Sequence, residues 1–453
     1  MMSPVSKILA RKKMIGWKTS VFWLGCNLLS TVIHAQQPFA QESQWMLGNW
    51  NGKRTALAEQ GYTFDLGYTG EMASLLDGGY SNNHRTEYAD QFALGTHLDL
   101  EKILGWPDTQ AQITLTERNG HSLSDKNYGV IGDPRVGHLS ATQEVWGRGQ
   151  TWRLTDFWIQ KQFLDKRLDI KLGRFGEGED FNSFNCDFQN LSLCGSQVGN
   201  WVGDIWYNWP VSQWAGRVKY NMQPDWYAQV GVYEYNPENL ERSKGFNLST
   251  DGSKGAIIPI ELVWQPKLGL QQLPGEYRAG YYHSTADSGR INSSDRTEHK
   301  HGGWLVLKQQ LTSKTDTGND DSMNNNSRGL TGFANITLHD KDTNTVDNFQ
   351  NIGLVYHGWF DQRPRDDIGL GFSRIHVNDA VSRVQKQNDI LLNIDDPSYQ
   401  PVQDTEYNAE LYYGLHLSDW LTLRPNIQYI KHAGGVDYLD DTWVGGIKLQ
   451  LGF

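Results

Sequence analysis

The feature that most constrains this chain is the alternation at its C-terminus. Trp443, Ile447, Leu449, Leu451 and Phe453 occupy every second position, interrupted only by Gly445. Gly446, Lys448, Gln450 and Gly452 lie between them. A period of two gives a strand with one apolar and one polar face. At the edge of a soluble sheet, such a strand with an exposed terminal aromatic would invite aggregation. In an outer-membrane barrel the apolar face meets lipid and the polar face meets a wet lumen. Pairing with the first strand then removes the edge.

The pattern recurs along the chain. It is carried by segments 62–72, 92–101, 111–116, 153–163, 168–175, 214–220, 226–235 and 257–265. It returns at 275–285, 303–311, 328–338, 350–359, 367–377, 407–417, 421–429 and 443–453, which makes sixteen. An even number of strands about ten residues long fits an all-β, antiparallel transmembrane barrel spanning 62–453. The mean hydropathy of -0.59 does not oppose this, because alternating strands average to polar. The links alternate too. Asp165-Lys166-Arg167, Met222 to Asp225, Ser418-Asp419-Trp420 and the turn at Trp106 are short. Links 121–152, 177–213, 236–256, 286–302 and 378–405 are long, and Thr312 to Ser327 is a long link where a short one belongs. Trp226, Tyr281, Trp304, Trp359, Tyr429 and Trp443 are expected to form the interfacial girdles.

Residues 1–35 read as a signal peptide. Lys7, Arg11, Lys12, Lys13 and Lys18 precede a short apolar run from Val21 to Leu29, and cleavage is expected after Ala35. Residues 36–61 would form a periplasmic linker and helix, with Leu47, Trp50, Arg54, Leu57 and Ala58 at helical spacing and Gly61 as C-cap. The whole-chain charge of -11 becomes about -16 without the five basic residues of the leader, which argues against nucleic acid as a partner. Cys186 and Cys194 remain in the exported part and are expected to form one disulfide. Two cysteines are too few ligands for a metal site.

Nothing points to an enzyme or a cofactor. His97, His283, His357 and His416 could act as bases, but no serine or cysteine motif supports them. Asp340 to Asn344 begins like a calcium loop, yet Thr345 stands where glycine belongs and Asn351 where glutamate belongs.

Several ordered phrases resemble the carbohydrate-selective porins of the OprB family. They are Leu47 to Arg54 running into Gly61-Tyr62-Thr63-Phe64, Leu98 to Pro107, Gly353 to Phe360, Glu410 to Tyr413 and Leu421 to Tyr429. The resemblance covers nearly the whole exported chain. It implies a sixteen-stranded sugar channel in the outer membrane of a Gram-negative bacterium, with a helix near the periplasmic mouth. Phe453 resembles the end residue that barrel assembly machinery recognises. A monomer and a homotrimer both fit.

A sugar channel needs hydrogen-bonding side chains and an aromatic face, each contact weak enough to release. Placing Phe157, Ile159 and Phe163 towards lipid sends Asp156, Trp158 and Gln160 inward; the opposite phase puts Leu154 and Trp158 outside. Arg118, Arg217, Lys219, Arg278, Lys308, Arg424 and Lys448 are expected to face the lumen, since a charge facing lipid costs about 2–4 kcal/mol at the midplane. Lys448 and Gln450 would line the periplasmic mouth. Link 177–213 either folds inward as the constriction or stands outside as a stapled surface loop. Arg174 and Asp180, at the family's strand-to-loop junction, point to the first. Arg118, Asp156, Trp158, Arg174, Asp180, Arg217 and Arg278 are the candidate substrate contacts. A channel for small hydroxylated acids of the quinate type is the alternative, because arginine holds carboxylates bidentately; a general porin is another.

Overall fold

The structure, a computed structural model, describes residues 37–453 apart from Asn82 and residues 315–327. The expected leader lies outside the described residues, as does most of the Thr312 to Ser327 link. Sixteen antiparallel strands close into one barrel. The first eight are β1 (Tyr62–Gly79), β2 (Thr86–Asp99), β3 (Thr109–Gly120), β4 (Trp152–Phe163), β5 (Leu168–Phe175), β6 (Gln213–Gln223), β7 (Trp226–Tyr235) and β8 (Gly255–Trp264). The others are β9 (Leu273–Arg290), β10 (Ser293–Gln310), β11 (Gly329–His339), β12 (Val346–His357), β13 (Asp367–Val377), β14 (Thr405–Ser418), β15 (Leu421–Lys431) and β16 (Asp440–Gly452). A two-residue ladder, Lys267–Leu268 against Leu273 and Pro274, sits in the β8–β9 turn. Closure comes from β1, which pairs with β2 on one side and with β16 on the other, from Gly67 opposite Gly452 to Gly79 opposite Asp440.

The alternation holds in the terminal strand. Trp443 and Ile447 are 41% and 37% exposed on the outer wall, while Val444 and Lys448 are 0% and 1% exposed inside. All ladders are satisfied without a free edge, which is what lets backbone cross hydrocarbon.

The helix is shorter than the spacing predicts, Lys53–Glu59, entered through a 3-10 turn in which Gly52 takes the left-handed conformation. It lies at the end of the barrel that carries the short turns, the periplasmic end. Arg54 is 5% exposed. Its guanidinium donates to the main-chain oxygen of Phe453 and, at 2.6 Å, to that of Phe64. It also lies over the Trp45 and Trp50 rings, at 4.1 and 5.0 Å. The Met46 N–H donates to Gly452 O at 2.8 Å. The N-terminal segment thus binds both members of the β1–β16 seam.

Two expectations are corrected. Link 286–302 is not a loop: β9 and β10 continue to Arg290 and from Ser293, leaving a turn of two residues. Above the bilayer both faces of a hairpin meet water, so polar residues fill both and the alternation that marks a strand disappears. Trp304 is not in a girdle. It shares the inward phase of Val306 and Lys308, is 3% exposed, packs on Trp206 and donates to Glu261 at 2.8 Å. The outward phase of β10 belongs to Leu305 and Leu307, both exposed. By contrast Tyr281, Trp359 and Trp443 are exposed.

Candidate functional site

Two loops fold into the barrel because the inward side chains of the wall satisfy their backbone. In the loop between β5 and β6, Asn182 N–H donates to Glu261 of β8 at 3.0 Å. On the far side of the lumen the Gln189 and Asn190 N–H groups donate to the two carboxylate oxygens of Glu410 in β14, at 2.9 and 2.7 Å. The Asn190 amide reaches Gln428 of β15 at 3.0 Å, and Asn351 of β12 donates to Ser192 O at 2.9 Å. Phe188 closes this half of the strap against Phe333 and Tyr412. The Cys186–Cys194 disulfide is present and lies within the strap, which therefore spans the lumen rather than standing outside.

The loop between β3 and β4 enters beside it. Leu139 and Ser140 N–H donate to Glu406 at 2.9 and 3.1 Å, and Val145 N–H donates to Glu71 of β1 at 3.2 Å. The loops also hold one another, Glu144 N–H donating to Gln189 O at 3.0 Å and Leu191 N–H to Ala141 O at 2.8 Å. Lys448 joins all three parts. Its buried ammonium sits 3.4 Å from Glu71, 3.1 Å from Glu144 and 3.0 Å from Phe188 O. The expectation that Lys448 lines the periplasmic mouth is wrong for this reason: its long stem carries the charge to where both loops meet.

Between the loops and the wall lies a cavity of about 600 Å3, bordered by Arg118, Asp156, Glu144, Arg148, Glu179 and Phe184 among others. Arg118 donates to Gln91 at 2.8 Å and lies 3.9 Å from Glu144. Beside the cavity runs a ladder of opposite charges. Lys171 contacts Glu179 at 2.7 Å and Asp180 at 3.1 Å, and lies 4.8 Å from the centre of the Trp158 ring. Arg217 contacts Asp169 at 2.6 Å and Asp180 at 3.6 Å. Arg278 contacts Glu261 at 3.0 Å and Glu276 at 2.8 Å. Asp156, Trp158, Asp180, Arg217 and Arg278 are thus brought together, with Arg118 at the far wall of the cavity.

Arg174 is not part of this group. It shares the outward phase of Leu172, and its guanidinium donates to Ser212 O at 2.6 Å and to Asn247 O beneath the loop after β7. The strand twists over the rim at Gly173, whose φ is 142°, and the neighbouring loops cover the charge. Lys171 was within reach of the same alternation that marks Asp169. Glu144 and Arg148 come from an aperiodic loop that gives no such signal. Among the described residues, one cluster has ligand atoms close enough for a metal, Glu144 with Cys186 and Cys194, but its two sulfurs are bonded to each other.

The family model for carbohydrate-selective porins of the OprB family matches residues 83–453. This chain belongs to the OprB family. It is 59% identical to Porin B of Pseudomonas aeruginosa over 449 residues, which are 96% of each chain. It is 43% identical over 429 residues to the putative porin QuiX of Acinetobacter baylyi, covering 92% of this chain and 94% of that one. The high-pH structure of Pseudomonas putida OprB superposes with a TM-score of 0.87 at 54% identity, covering 92% of this chain and all of that one. The barrel is accordingly an outer-membrane porin, and the family is one of channels rather than enzymes.

In this OprB chain the start of the strap depends on a buried acid. Glu177 accepts from Tyr207 N–H at 2.9 Å with one carboxylate oxygen, and burial pushes its carboxyl up to about 8 from 4.5. The folded loop keeps a proton that a released loop gives up, so this contribution to stability is full below the unfolded value of 4.5 and is lost as pH rises through about 8. Hydrogen exchange of amides 176–212, corrected for intrinsic chemistry, is expected to accelerate from about pH 6 to about pH 9. Glu177→Gln should flatten that rise; an equally steep profile in the variant would exclude Glu177 as its origin.

Proposed function

We propose that the lumen passes neutral sugars, glucose and related carbohydrates, by passive diffusion, with Arg118, Asp156 and Trp158 as the contacts that favour them. The observation that supports a neutral solute is the pairing of Lys171 and of the arginines along the lumen; Lys219 and Lys308 have no carboxylate within 4.0 Å among the described residues. Arg217, Arg278 and Lys171 each have a carboxylate within 3.0 Å, and Arg424 lies 3.5 Å from Asp367. Arg148, at the cavity wall, donates instead to the carbonyls of Gly199 and Gly203 at 3.2 and 2.9 Å. A carboxylate solute wants an unoccupied guanidinium fork. A ring of hydroxyls wants fixed donors and acceptors with an apolar surface near them, and this lumen offers Arg118, Asp156 and Trp158 for that purpose.

Reconstituted liposomes are expected to swell in glucose and other monosaccharides faster than in hydroxy acids of equal size. Arg118→Ala removes about one hydrogen bond from the sugar and should slow glucose swelling about fivefold. Swelling that is faster in hydroxy acids, together with a strongly anion-selective reversal potential, would favour the organic-acid channel. Equal swelling in all solutes, with Arg118→Ala unchanged, would leave a general porin.

A further inference from the structure

A second cavity, of about 540 Å3, lies on the other side of the strap. Its volume is in the range of small-molecule sites, ~300–1,000 Å3. Gln265, Pro266 and Lys267 of the β8–β9 turn border it, which places it on the periplasmic side. The strap presents different residues to the two spaces. Cys186 borders the upper cavity, while Asn185, Asp187 and Phe188 border the lower one. Phe184 borders both, its ring 5.0 Å from that of Phe333 in an edge-on contact.

The lower cavity is bordered by Lys267 and Lys308 and by Asp187 and Glu276. Arg118, Arg217, Arg278, Arg424 and Lys448 all have a carboxylate within the ion-pair limit of 4.0 Å. Lys308, on the inward face of β10 at this cavity, has none within that limit among the described residues; its ammonium donates to Asn185 Oδ1 at 3.1 Å. An ammonium carries three donors, and for the two that Asn185 does not take a solute competes with Glu276, the residue opposite Lys308 in the β9–β10 register. Thr331 and His357 border the same space from β11 and β12. An aromatic ring facing a cluster of hydrogen-bonding groups, in a space of this size, is the composition that a hydroxylated ring with one apolar face requires.

We propose that the lower cavity is a second sugar-binding station, in which Lys308 and Asn185 hold hydroxyls and Phe184 offers its ring to solute in either cavity. The proposal rests on the sugar-channel reading above. Two weak stations in series let a solute leave one as it reaches the next, so passage needs no single strong site.

The test is current-fluctuation analysis of single channels in planar bilayers, with glucose added to one side at a time. Lys308→Gln keeps a polar group but loses the ammonium. It is expected to lower the glucose association rate from the periplasmic side about threefold to tenfold relative to that from the outer side, the worth of one hydrogen bond. Lys308→Arg should restore most of the loss. Phe184→Ala should lower association from both sides. If wild-type channels carry glucose and the ratio of the two rates is unchanged in Lys308→Gln, the lower station is refuted and the sugar channel stands. If wild-type channels carry no sugar, the channel reading falls and takes this one with it.

Discussion

Glu410→Ala is expected to open the channel, raising single-channel conductance about two- to threefold and admitting solutes that the native protein excludes. The reason lies in two hydrogen bonds. Glu410 receives the N–H groups of Gln189 and Asn190, one on each carboxylate oxygen, at 2.9 and 2.7 Å. Each such hydrogen bond contributes about 0.5–1.5 kcal/mol net, and truncation also strands two buried donors at about 1–3 kcal/mol each. The strap keeps its attachment to Glu261 at the opposite wall and its packing through Phe188, so the barrel should still assemble. The far half of the span loses its two bonds to Glu410 and is left on Gln428, Asn351 and the Phe188 packing. Glu410→Gln retains one acceptor oxygen and should give an intermediate conductance. Native conductance and native size exclusion in Glu410→Ala would show that the strap is held elsewhere.

The second large effect is expected at Lys448. Lys448→Met keeps the length of the side chain but removes the ammonium from between Glu71 and Glu144, and from the carbonyls of Cys186 and Phe188. Breaking a buried ion pair by deleting one partner costs about 3–5 kcal/mol, because the other charge stays buried without compensation. The folded barrel in detergent should lose about 5–10 °C of thermal stability. Adding Glu71→Gln removes the carboxylate left stranded at 0% exposure and should return part of that loss. A melting temperature unchanged by Lys448→Met would contradict the role of this ammonium as the junction of wall and loops.

These two residues also mark how far the sequence was legible. Alternation places Lys448 on the inward face; Glu410 obeys the same alternation but stands out in the sequence only as part of a family-like phrase. Their partners could not be placed, because the loops they bind have no periodicity and are positioned only by the wall. Lys448 reads in one dimension as lining of the rim, and in three as a charge in the middle of the protein. The same limit hid Glu144 and Arg148. Of the two phases open to β4, the structure takes the one with Phe157 and Ile159 outward, which turns Asp156 and Trp158 inward. Arg174 is a candidate from the family's strand-to-loop junction, whereas its alternation with Leu172 puts it on the outward face, where loops cover it. The β9–β10 hairpin failed for another reason, since in water neither face need be apolar.

The contact of Arg54 with the final residue has a temporal meaning. A chain exported from its N-terminus carries the arginine and its two tryptophans through translocation with only the nearby Phe64 of β1 to receive them. The Phe453 oxygen is brought to Arg54 by the strand that completes the sheet. The Phe453 arm of the clasp can close only once β16 has joined β1 in register, whereas the Phe64 arm is available as soon as β1 has formed.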